Sequence, residues 1–78
     1  METKNRDRFE KLKSLTPIQA VEAWLNGEFG IGDEPAMIAA IRKDQRIQLS
    51  DQMIIQLIGD AMADEIEPTD CLERLASA

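Results

Sequence analysis

Apolar residues recur at helical spacing along most of the chain, and the longest such pattern is Leu49–Ile66. On a wheel stepped at ~100° per residue, Met53, Ile54, Ile55, Leu57, Ile58, Gly59, Ala61, Met62 and Ile66 sweep roughly two-thirds of the circumference. Gln52, Gln56, Asp60 and Asp64, each four residues from the last, form one narrow polar strip. A surface helix needs an apolar arc only a little over ~100° wide. The pattern therefore predicts a central helix over about 50–66, covered on two or three sides by its own bundle or by another molecule. Ser50 can cap its start, Asp51 suits its first turn, Leu49 can staple against Ile54, and Pro68 marks its end.

The other elements are shorter. Phe9 and Leu12 give residues 4–13 a weak apolar side, which predicts a short or frayed N-terminal helix within 1–14. Thr16-Pro17-Ile18-Gln19 carries a capping box with proline at the first helical position. The helix it opens runs to about Asn26, with Ile18, Val21 and Leu25 on one stripe, Trp24 beside it, and Gly27 as the stop. Residues 27–35, GEFGIGDEP, read as a loop. Asp33 or Glu34 can cap a helix over about 35–44, whose Met37, Ile38 and Ile41 face inward and whose Arg42 and Lys43 fall in the last turn. Residues 44–49 connect it to the long helix, with Ile47 and Leu49 tucked inward, and Thr69 or Asp70 starts a last helix carrying Leu72 and Leu75. No strand-like alternation and no internal repeat is present. The expected fold is all-α: one domain over 1–78, a bundle of four to five short helices around the central one.

Composition narrows this picture. Twenty-three large apolar residues after Met1 suffice for one small core with little surplus. The single cysteine excludes an internal disulfide and fits a reducing compartment. The charged start lacks the apolar stretch of a signal peptide, and no run approaches the ~18–20 apolar residues that span a bilayer. The expected location is cytoplasmic. A net charge of −6 disfavours nucleic acid and anionic membrane, residues 4–13 and 42–46 being the only basic islands.

Candidate chemistry is thin, and the expectation is a protein without catalysis, cofactor or metal. The chain has no histidine and no tyrosine, so acid–base work would fall to carboxylates or lysines. Asp60, Asp64, Glu65 and Glu67 cluster in sequence, but bundle metal sites draw facing carboxylates from several helices, usually with histidine. Cys71 lies between Asp70 and Glu73, and acidic neighbours blunt a thiol. The G-x-x-G-x-G of residues 27–32 follows a helix and runs into Asp33 and Glu34, which would repel phosphate. The second helix of a helix-turn-helix reading, Leu49–Ile66, has four acids by residue 65 and no base to offer DNA.

Three stretches carry partial likenesses to known families. Ser50 at the head of a long helix resembles an acyl carrier protein, but Leu49-Ser50-Asp51 reverses that family's Asp-Ser-Leu. Val21-x-x-Trp24-Leu25 with Gly30-Ile31 resembles the opening of a sterile-alpha-motif domain. Asp7 to Leu25 with Leu49-Ser50-Asp51 resembles small helical co-regulators that bind a nucleoid protein. None covers the chain, and the last two belong to protein-binding classes.

The leading expectation is thus a small acidic protein-binding module: an adaptor, an inhibitor of the phage or mobile-element kind, or a regulatory subunit. Its expected contact residues are Gln52, Gln56, Asp60 and Asp64 with their apolar flanks, then Phe29 and Ile31 in the glycine loop, either as core plugs or as an exposed knob. Gly59 and Ala63 permit close approach of a second copy, which predicts a homodimer through the central helix as a variant. The alternatives are an acidic decoy that occupies a nucleic-acid-binding cleft, and a helical transcriptional co-regulator.

Overall fold

The structure, a computed structural model, describes the backbone of residues 2–28 and 30–78 and the side chains from Arg8 onward except at 29 and 31. Five helices follow one another: α1 (Glu2–Lys13), α2 (Pro17–Leu25), α3 (Glu34–Ile41), α4 (Asp51–Ala63) and α5 (Pro68–Ser77), with a 3₁₀ turn at Ile31–Asp33. No strand occurs among the described residues, and the all-α fold expected from the pattern is the one observed.

Helix starts are set by local side chains. Thr16 Oγ1 accepts the Gln19 N–H at 3.2 Å while Gln19 Oε1 accepts the Thr16 N–H at 3.0 Å, a complete capping box. Ser50 Oγ accepts the Met53 N–H at 3.2 Å and starts α4. Asp33 does not act as the predicted side-chain cap of α3. Its carboxylate instead accepts the Gly30 N–H at 2.8 Å and two donors from Arg8 of α1.

Helix ends account for the largest departures from expectation. Gly27, at φ 70°, stops α2 as predicted, its N–H bonding Trp24 O and that of Glu28 bonding Ala23 O, both at 3.0 Å. This pair of bonds is a Schellman motif. The same motif ends α4 early: Glu65 N–H bonds Met62 O at 3.3 Å and Ile66 N–H bonds Ala61 O at 2.9 Å. Glu65 takes the left-handed φ of 54° usually left to glycine. Ile66 therefore lies beyond the helix, and Pro68 opens α5 rather than closing α4. Helix α3 also stops short of 44, at Ile41, with Arg42 as its cap and turn bonds from Lys43 N–H and Asp44 N–H replacing the α pattern.

The core joins Val21 and Trp24 of α2, Met37, Ile38 and Ile41 of α3, Ile47 of the connector, Ile54 and Ile58 of α4, and Cys71 and Leu75 of α5. No polar or charged side chain is buried among the described residues. The α2 stripe is rotated from its predicted place: Ala20, Val21 and Trp24 are buried, and Ile18 and Leu25 are half-buried flanks. Helix α2 packs on α3, α4 and α5, α1 packs on α3, and α4 packs on α2 and α5. The long helix thus supplies core along Ile54, Ile58 and Ala61, while α2 is the element that its neighbours surround.

The connector after α3 is braced by its cations. Arg42 donates to Leu49 O at 2.7 Å and to the Asp51 carboxylate. Lys43 reaches Leu15 O at 2.8 Å. Arg46 pairs with Asp44 at 2.7 Å and with Glu73 of α5 at 3.1 Å. Each base of this island is therefore spent on a different part of the fold.

Candidate functional site

One buried stripe cannot cover the wide apolar arc of α4. Ile54, Ile58 and Ala61 are buried, Ile55 and Leu57 are half-buried, and Met53 and Met62 are 41% and 44% exposed. Nine residues apart, the two methionines fall about half a turn from each other around the helix. One stands on each side of the buried stripe.

On the Met53 side, Gln52, Gln56 and Asp60 are exposed along the helix and Asp64 is exposed as its C-terminal cap. The structure thus brings the four predicted strip residues into one solvent-facing row, with Met53 and the edge of Leu57 beside them. Among the described residues, Asp51, at the N-terminal end of the same helix, is the one α4 acid with an ion-pair partner, Arg42. The side chains of Phe29 and Ile31, the other predicted contacts, lie outside the described residues. Gly59 is exposed on α4, and a Cβ built there meets nothing within 4 Å.

The Met62 side leads to a feature that helical periodicity does not reveal. A hollow of about 380 Å³ lies where α2 and α4 end and α5 begins, lined by Leu25, Asn26, Met62, Glu65, Ile66 and Pro68, among others. Two helix C-termini meet there, each carrying partial negative charge from its dipole. Glu65 and Glu67 add carboxylates to its wall, and no lysine or arginine among the described residues lines it. The sequence holds one sign of this place, the helix-stop signal at Gly27. That the end of α4 shares a hollow with it depends on how α2 and α4 pack.

Elsewhere the ionisable side chains serve the fold. The Asp33 carboxyl is held below the usual range by hydrogen bonds from Arg8 and from the Gly30 N–H. The Asp44 carboxyl is lowered in the same way by Arg46. Burial pushes the Cys71 thiol up, against a smaller opposing pull from Arg74. Among the described residues, no three histidine, cysteine, aspartate or glutamate side chains come together in a way that could hold a metal ion. No described helix is long and apolar enough to cross a membrane.

No protein-family model, curated protein or solved structure matches the chain.

Proposed function

We propose that this chain is a small acidic protein-binding module, an adaptor, inhibitor or regulatory subunit without catalysis of its own, working in the cytoplasm. The observation that carries this reading is the exposure of α4. Met53 stands in solvent beside Gln52, Gln56, Asp60 and Asp64, with no cation on that row. Exposed methionine among polar side chains suits an adaptable protein contact, because the thioether side chain is unbranched and repacks readily. The absence of histidine and tyrosine from the sequence favours binding over catalysis. This class includes inhibitors of host proteins of the kind carried by phage or mobile elements.

The test is affinity capture from a lysate of the source cell with the wild-type chain and with a Gln56→Lys/Asp60→Lys variant, at low and high salt. A partner retained by the wild type and lost by the variant supports the assignment of the α4 row. Equal capture by both overturns it. Salt also separates a second reading, the acidic decoy, which the run from Ile47 to Glu73 favours by carrying seven acids and no base. A decoy held by charge releases its partner steeply as salt rises and competes with DNA or RNA, whereas apolar contacts persist. A homodimer through Gly59 and Ala63 is the third form, and light scattering at two concentrations reads it directly.

A further inference from the structure

We propose that the hollow at the shared end of α2 and α4 takes an arginine- or lysine-bearing segment of a partner protein. The proposal deepens the protein-binding reading and rests on it. Four observations select this occupant. Leu25, Met62, Ile66 and Pro68 supply apolar side chains to its lining beside the polar ones, and Met62 is 44% exposed. C-terminal residues of both α2 and α4 line the hollow, and a helix C-terminus carries partial negative charge. Glu65 and Glu67 line it, and the sequence has no base from Ser14 to Ile41 or from Ile47 to Glu73. Four bases are held elsewhere in the fold, Arg8 by Asp33, Arg42 by Asp51, Lys43 by Leu15 O, and Arg46 by Asp44 and Glu73, and Arg74 lies in the last turn of α5, away from the end that lines the hollow.

Long basic side chains match such a place, since their methylene stems cover apolar surface while the charged head stays at a polar edge. An anion does not fit. The positive end of α5 also opens here, but Glu67 at its cap and Asp70 in its first turn put carboxylates over it. A partner surface with an arginine or lysine between apolar residues would meet both the carboxylates and the apolar side chains of this lining. This contact lies on the opposite side of α4 from Met53, so the two can be tested apart.

The methionine methyls make the experiment specific. Met37 is fully buried, Met53 reports the α4 row and Met62 reports the hollow. The full chain, with ¹³C-labelled methionine methyls, is titrated with an acetylated and amidated six-residue peptide of alternating leucine and arginine. A leucine–glutamate peptide of the same length is the control. The expected result is a saturable shift of the Met62 methyl, with Met53 and Met37 unmoved and no response to the glutamate peptide. The Glu65→Gln/Glu67→Gln variant should bind about tenfold more weakly, as loss of two exposed charge contacts implies. Its unshifted Met37 methyl shows that the fold is retained.

An equal shift with the glutamate peptide, or undiminished binding by the glutamine variant, overturns the proposal, because the cation would not then be what is recognised. A shift at Met53 alone overturns it while leaving the protein-binding reading standing on the α4 row. Silence at both methyls overturns it too, and the lysate capture then judges the broader reading separately.

Discussion

Arg8 grips Asp33 across 25 residues of sequence, its Nε 3.0 Å from both carboxylate oxygens and its Nη2 2.7 Å from Oδ2. The same Oδ2 accepts the Gly30 N–H at 2.8 Å. One carboxylate therefore fastens α1 to the turn before α3 and shapes that turn. Because these contacts favour the charged form, the Asp33 pKa is lower in the folded chain than in the unfolded one.

The sign of the pH dependence follows. A depressed carboxylate pKa contributes stability that is fully present above the unfolded value, about 3.9, and is lost as pH falls through the folded value. Asp33→Asn should lower the melting temperature at pH 6 and converge with the wild type as the pH drops well below 4. Thermal melts followed by circular dichroism from pH 7 to pH 2.5 check this. Asp44, lowered by Arg46 in the same direction, should leave a residual acid sensitivity in the variant.

Gly59→Ala should stabilise the monomer. Glycine in the interior of an exposed helix costs roughly 1 kcal/mol relative to alanine. The added Cβ meets nothing within 4 Å, so no steric cost opposes the gain. A rise in melting temperature of roughly 4–8 °C is expected for a chain of this size. If the chain instead dimerises by close approach at this glycine, Gly59→Leu lowers the mass seen in light scattering.

Glu65→Gly should also stabilise. A residue with a Cβ pays roughly 1–2 kcal/mol in the left-handed conformation, which glycine adopts freely. Glycine's greater freedom in the unfolded chain offsets part of this, leaving a gain of about 1 kcal/mol. Glu65→Ala keeps the strain and should show no such gain. Urea denaturation of the two variants, compared at equal slope, separates them.

Cys71 should be inert until the fold opens. It is 1% exposed, and burial raises its thiol pKa, which reduces the reactive thiolate. A chromogenic disulfide reagent at pH 8 should react slowly with the native chain and rapidly in denaturant. Fast reaction under native conditions would mean that α5 undocks readily.

What could be read from the sequence was what neighbouring residues decide among themselves. The caps at Thr16 and Ser50 and the stop at Gly27 depend on side chains and backbone within a few positions, and they stand where the pattern puts them. The exposed row Gln52–Gln56–Asp60–Asp64 was legible for the same reason, as period alone fixes a helix face. The early end of α4 was not, because Glu65 holds a conformation that sequence reading expects of glycine. Asp33 looked like a local cap and was claimed by a distant arginine. The burial of Trp24 ahead of Ile18 and Leu25 depends on α3, α4 and α5 surrounding α2, and the hollow near Met62 exists only because two helix ends pack together.

Trp24, 5% exposed among helices drawn from the whole length of the chain, is also the only tryptophan. The protein therefore carries one native fluorophore at the point where its elements converge. Its emission should shift to the red when α2 parts from its neighbours, giving every variant above an optical signal without a label.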